Sequence, residues 1–141
     1  MGMILGKFVK KPEAKVTDLD LVSVHRDRVQ YKITVSVFNP YFHPLPIVDV
    51  PFSLKSDGRV IISGKLEDPG SLKANDTTIL TIPFAVPHDV IVSLVKDVGK
   101  DWDIDYDLEL GLTIDLPLVG GFTIPLNRKG QIKLPTFKDL L

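Results

Sequence analysis

Apolar and polar residues alternate with period two through most of the chain, turn signals recur roughly every 8–15 residues, and one short stretch has helical spacing. Together these predict a mainly β fold, an immunoglobulin/fibronectin-III-like antiparallel β-sandwich of about seven strands with one α-helix at about 88–98. An up-and-down barrel is the runner-up. Residues 1–12 are expected to form a short N-terminal tail, and 13–141 a single domain.

A first strand is expected over Val16–Val24. In the second, Val29, Tyr31, Ile33, Val35 and Val37 alternate with Gln30, Lys32, Thr34 and Ser36. Asn39-Pro40 ends it, because Pro40 has no amide hydrogen for a ladder bond. Val48, Val50, Phe52 and Leu54 form the next apolar set. Ser56-Asp57-Gly58-Arg59 then reads as a hairpin, since Asp-Gly accepts positive φ. A strand over Arg59–Leu66 follows, and Asp68-Pro69-Gly70-Ser71 makes a turn. Thr78, Leu80, Ile82 and Phe84 alternate again, with Pro83 marking an edge or a bulge.

Val90, Ile91, Leu94, Val95 and Val98 share one helical face. Pro87 sets the start of that helix, Asp89 suits its positive end, and Gly99 is a natural stop. Trp102, Ile104, Tyr106, Leu108, Leu110, Leu112, Ile114 and Leu116 form the longest alternating set. Two short strands, Phe122–Leu126 and Gln131–Leu134, are expected last, with Gly120-Gly121 and Asn127-Arg128-Lys129-Gly130 closing hairpins.

Composition excludes several functions. The apolar fraction is 44% and the charged fraction 25%, which is globular rather than disordered. Seventeen basic against eighteen acidic residues give a net charge of −1. Such a balance offers no whole-molecule attraction to nucleic acid or to an anionic membrane surface, and no nucleic-acid partner is expected, because that partner selects a basic stripe. Without cysteine there is no disulfide, zinc–thiolate site or thiol chemistry. The apolar runs are too short to cross a bilayer, so no transmembrane segment is expected. Met1–Phe8 lacks the pattern of a signal peptide, and Gly6 stands where a myristoylation motif needs Ser or Thr.

The most tempting chemistry is the row Asp101, Asp103, Asp105, Asp107 and Glu109, five carboxylates on one face of one strand. Hard cations bind several carboxylate oxygens, but alternate strand residues lie ~7 Å apart, so one ion reaches only a neighbouring pair. A calcium loop would need Gly where Tyr106 stands and Glu where Leu112 stands. The row is therefore expected to be a solvated face, paired across strands with lysines and arginines. His25, His43 and His88 show no metal spacing. There is no nucleophile elbow and no phosphate-binding glycine loop. No catalytic, cofactor-binding or metal-binding residue is assigned, and no cofactor is expected. Asn75-Asp76-Thr77 formally matches a glycosylation acceptor and reads as a turn before a strand. Tyr41-Phe42-His43-Pro44-Leu45-Pro46 is either a partner-contact patch or, by preference, a loop tucked over the core edge.

Four runs resemble one family: Gly99 to Pro117, Lys129 to Lys138, Asp68 to Ala74, and Ser36 to Tyr41 with its Asn39-Pro40. They are similar to the plant desiccation-related, atypical group 2 late embryogenesis abundant proteins, which carry the water stress and hypersensitive response domain. The resemblance spans about residues 12–141. It implies a folded β-sandwich with one helix, an intracellular setting, accumulation under drought, salt, cold or wounding, and no established catalytic residues.

The expected function is non-enzymatic protection against desiccation and related abiotic stress, by binding or shielding protein or other macromolecular clients. A cytoplasmic monomer is expected. The scarcity of oxidisable sulfur, two methionines and no cysteine, suits drying cells. The alternatives are a protein-binding adaptor in stress or defence signalling, working through a sheet edge or the Tyr41–Pro46 loop, and a carrier with an apolar pocket.

Overall fold

The computed structural model describes residues 10–98 and 103–133. Among them run β1 (Glu13–Val24), β2 (Arg28–Asn39), β3 (Leu45–Asp49), β4 (Pro51–Ser56), β5 (Arg59–Lys65), β6 (Ser71–Leu72), β7 (Asp76–Pro87), the helix α1 (His88–Val98), β8 (Asp103–Leu116) and β9 (Gly120–Lys133). All pairings are antiparallel.

Two sheets form. In the smaller, β2 lies between β1 and β7. The larger is organised about β8. Along one side of β8 runs β9; along the other lie β3 and β4 end to end, with β6 outside β3 and β5 outside β4. The two inner faces meet in one core. Val29, Tyr31, Ile33, Val35 and Val37 of β2, the five alternating residues, are all buried. Opposite them lie Tyr106, Leu108, Leu110, Leu112, Ile114 and Leu116 of β8. Phe84 of β7 stacks on Tyr31, with ring centroids 5.5 Å apart, and meets Phe52 of β4 across the sheets at 5.6 Å. Burial raises the Tyr31 phenol well above its ordinary value.

The small sheet's outer strand β7 carries Pro83, as an edge strand can. At the other edge Arg128 of β9 closes the sandwich: its Nε donates to the Tyr106 hydroxyl at 3.0 Å and one Nη to the Val16 carbonyl at 3.2 Å. The helix α1 covers one end of the core by burying Ile91 and Leu94. Arg59 ties it to the β4–β5 hairpin through Ser93 Oγ at 2.9 Å. That hairpin is the expected tight turn, with Asp57 at φ 52° and Gly58 at φ 78°.

Nine strands run through the described residues where about seven were expected, the two-residue β6 among them, and two further details differ from the sequence reading. Ile47 points inward and Val48 outward, because a register irregularity between Ile47 and Asp49 reverses the phase before β4. Also, Asn127–Gly130 makes no turn. β9 runs unbroken through it, with Lys129 opposite Asp107 and Gly130 opposite Tyr106. Gly130 is there for space: a Cβ would stand 3.3 Å from the Tyr106 ring and hydroxyl, and Arg128 holds that hydroxyl. Gly130→Val is expected to lower folding stability by roughly 1–3 kcal/mol through this overpacking, as measured by urea unfolding. Trp102, Gly99 and residues 134–141, on which earlier expectations also rest, lie outside the described residues.

Candidate interaction surface

Apart from the tyrosines Tyr31 and Tyr106, the one buried polar side chain among the described residues is Asn39. It follows Val35 and Val37 in the inward phase of β2, so its amide enters the core edge. There it is fully used. Nδ2 donates to the carbonyls of His43 and Lys73, both at 3.0 Å, and Oδ1 accepts the Tyr41 amide at 2.8 Å. The last bond closes an Asx turn over Pro40, whose fixed φ suits that position. Asn39 therefore does more than end a strand. It joins the β2–β3 loop to the segment between β6 and β7.

Further bonds extend this joint. The Asn75 amide donates to the Tyr41 carbonyl at 2.7 Å, and the Tyr41 hydroxyl donates to the Lys10 carbonyl at 2.8 Å. Tyr41 is held half-buried against the core, while Phe42, the next residue, is 79% exposed. The two readings of this loop divide between adjacent aromatics: Tyr41 tucks in and Phe42 stays out. Asn75, with φ 47°, sits in a turn immediately before β7, as expected of the Asn75-Asp76-Thr77 run.

The β8–β9 hairpin reaches the same end. Ile47 pairs with Ile114, Phe122 pairs with Ile114 on the other side, and Leu45 pairs with Leu72. The hairpin tip, Pro117–Val119, therefore lies at the same end of the sandwich as the Asn39 joint. Leu118 is fully exposed and held at φ 65°, and Val119 is half exposed. Lys10 Nζ stands 5.3 Å from the Phe42 ring centroid, and Lys11 Nζ stands 6.0 Å from that of Phe122. Sequence patterning gave no sign of Leu118, since a positive φ is unusual for leucine. For Asn39 there was a sign: a polar residue in an inward phase.

The other candidates do not converge. Asp105, Asp107 and Glu109 lie on the outer face of β8, opposite Gln131, Lys129 and Asn127 of β9. Asn127 Nδ2 donates to Asp107 at 2.6 Å, Gln131 Nε2 to Asp105 at 3.4 Å, and Lys55 of β4 pairs with Glu109 at 3.7 Å. Exposed at this level, such pairs contribute little stability. Among the described residues no three His, Asp or Glu side chains meet as a cation site would require. Asp101 lies outside the described residues.

His25 and His88 flank the β1–β2 turn, where His25 Nε2 is 2.9 Å from Ser23 Oγ and His88 Nδ1 is 3.0 Å from the Arg26 carbonyl. His43 is at the far end of β2, about 35 Å away at strand rise. No triad forms. Along the outer face, Gly111 leaves an open trough of about 510 Å³ between Pro51 and Pro125. Beneath α1, Tyr31, Leu54, Val86, Ile91, Leu94 and Ile132 help to line a cavity of only about 10 Å³. That is room for one water at most, far below the several hundred Å³ of small-molecule sites. No helix of the described residues is long and apolar enough to cross a membrane.

Fold and surface thus define a mainly antiparallel β domain with one short helix and a braced, partly apolar loop end. The chain belongs to the late embryogenesis abundant protein family, whose description matches residues 34–130. It is 61% identical to late embryogenesis abundant protein Lea14-A of Gossypium hirsutum, over 94% of this chain and 87% of that protein. It is 60% identical to the desiccation protectant protein Lea14 homolog of Glycine max, over 92% and 86% of the two chains. A solution structure from Arabidopsis thaliana, 58% identical, superposes with a TM-score of 0.76 over 94% of this chain and 88% of that one. An Archaeoglobus fulgidus crystal structure with 12% identity and a TM-score of 0.62, covering 91% and 98% of the two chains, shares the fold alone. These relatives make the chain a desiccation-related stress-response protein.

Proposed function

We propose that the chain is a non-enzymatic, cytoplasmic protein that protects macromolecules during water loss by contacting them through its loop end. One observation carries this reading: Phe42 stands in solvent on the loop braced by the Asn39 bonds, and Leu118 and Val119 stand in solvent on the β8–β9 hairpin tip at the same end. Exposed apolar side chains on a fixed frame favour contact with partly dehydrated surfaces, since covering them recovers hydrophobic free energy. The names of the cotton and soybean relatives support the physiological setting.

Within the family we place the chain in the atypical group 2 with the water stress and hypersensitive response domain. The strand order β1-β2-β7 facing β5-β4-β8-β9 supports an immunoglobulin/fibronectin-III-like classification, with α1 inserted in the crossover from β7 to β8. The clients are proteins or other macromolecules rather than nucleic acid, and the working unit is a monomer. The carrier alternative gains no support from a 10 Å³ cavity. For the adaptor alternative the specific feature is β5, a sheet edge that contains no proline.

The test is drying of a labile enzyme with the purified chain in excess. The enzyme is expected to retain more activity on rehydration than with an equal mass of albumin, and Phe42→Ser is expected to reduce the benefit. Protection no better than albumin's would overturn the reading.

A further inference from the structure

The outer face of β8 carries a hollow that the core does not require. Three ranks of outward side chains cross the sheet there. Ser53, Glu109 and Asn127 form the first, Pro51, Gly111 and Pro125 the second, and Thr113 with Thr123 the third. Between them lies the trough of about 510 Å³. Its floor is Gly111, in the middle of a strand with partners on both sides, where glycine costs stability relative to alanine. The φ of Gly111 is not positive, and a Cβ would meet Pro51 Cγ at 3.7 Å and Thr123 Cγ2 at 3.8 Å, which is ordinary contact. Unlike Gly130, it clears no aromatic ring; its effect is to keep the hollow open. The flanking ranks hold hydrogen-bonding capacity that the protein leaves unused. Ser53 Oγ has no partner among the described residues. Asn127 Nδ2 is spent on Asp107 Oδ1 at 2.6 Å and the Leu108 carbonyl at 3.2 Å, which leaves Oδ1 to accept. Thr113 and Thr123 share one hydrogen bond at 2.7 Å, so one of their two hydroxyl protons remains to donate.

We propose that the trough binds a neutral saccharide of one or two pyranose rings. The C–H face of a ring lies on Pro51, Gly111 and Pro125, and its hydroxyls meet the polar ranks on either side. Those ranks stand about 14 Å apart along the strands, and the hollow has the volume of a small-molecule site. The lining selects this chemistry by elimination. An anion would meet the Glu109 carboxylate and no cation in the lining. A metal ion would find one carboxylate. A peptide strand has no edge to join, since β8 lies between β9 and the β3–β4 line. A wholly apolar ligand would cover Ser53, Glu109 and Asn127 without partners. A sugar satisfies both parts of the lining, because each of its hydroxyls donates and accepts while its ring carbons present an apolar face. Lys55, 3.7 Å from Glu109, balances the one charge at the rim, as a neutral ligand requires. The site uses no residue of the loop end, so its failure would leave the contact reading proposed above untouched.

The test is amide chemical-shift titration of the full chain with maltose, beside benzyl alcohol as a stand-in for an aromatic side chain of a protein partner. Maltose is expected to give saturable shifts at Ser53, Leu110–Gly111, Thr123 and Asn127, with a midpoint on the order of 10 mM for so open a site. Gly111→Ala is expected to weaken binding about tenfold or more, because its methyl group fills the floor. The same variant should raise the thermal midpoint slightly, since alanine fits the space and is the better strand residue. A purely structural role for Gly111 would not separate the two. Ser53→Ala removes a hydroxyl that no protein group uses, and is expected to weaken binding about fivefold with the thermal midpoint unchanged. Three results would overturn the proposal: shifts that never saturate with maltose, equal binding by Gly111→Ala, or tighter binding of benzyl alcohol than of maltose in the trough.

Discussion

Asn39→Ala is expected to lower folding stability by roughly 3 kcal/mol, about one for each of the three hydrogen bonds that it removes. The effect is large because the site is closed to solvent, so the His43 and Lys73 carbonyls and the Tyr41 amide lose their partner without gaining full hydration. Asn39→Asp separates hydrogen bonding from size. The aspartate keeps an acceptor for the Tyr41 amide but sets a carboxylate oxygen against the two carbonyls where a donor stood. It is therefore expected to be no more stable than the alanine variant at neutral pH. Urea unfolding of the two variants checks both statements. A loss below 1 kcal/mol for Asn39→Ala would show that the loop end is held by other contacts.

Ile91→Ala is expected to cost a similar amount, within the range of roughly 2–5 kcal/mol for truncating a buried aliphatic. Ile91 is completely buried and borders the small cavity beneath α1, whose other walls include Tyr31, Leu54, Val86 and Ile132. The side chains there belong to four different strands, so they are poorly placed to collapse into the space. The sheets are paired independently of the helix, and among the described side chains of α1 Ile91 and Leu94 are the buried ones. Thermal unfolding should therefore show a lowered midpoint with near-native β content below it. A change under 1 kcal/mol would mean that α1 contributes little to the core.

Much of the fold was legible because its strands are half-buried. The period-two sets of β2, β7 and β8 each coincide with an inward face, and α1 begins where Pro87 and Asp89 place it. The failures have local physical causes. Asn127-Arg128-Lys129-Gly130 has the composition of a turn, yet three of the four are claimed by β8: Asn127 by Asp107, Arg128 by Tyr106, and Gly130 by the space that the Tyr106 ring takes. Val48 was assigned inward because nothing in the sequence announces the irregularity between Ile47 and Asp49. The two-residue β6 was too short to register as alternation.

The loop end was legible only in pieces. Tyr41–Pro46 stood out by composition and Asn39 by its inward phase, but the joining of Asn39 to Lys73 depends on a contact 34 residues away. Leu118 and Val119 resemble any apolar pair in a strand; Gly120-Gly121 announced the hairpin, but only the backbone at φ 65° shows that its turn displays them. The acidic row was recognisable at once and proved less consequential, because its carboxylates meet Asn127, Gln131 and Lys55 across the strands.

The most direct measurement of where this protein makes contact is amide chemical-shift mapping of the full chain titrated with the enzyme that it protects in the drying assay. The expected result is that the largest changes cluster at Lys10–Lys11, Tyr41–His43 and Leu118–Phe122, with β5 and the outer face of β8 unmoved. Changes centred on Asp105–Glu109 or on the β5 edge, or no change at the loop end, would contradict it.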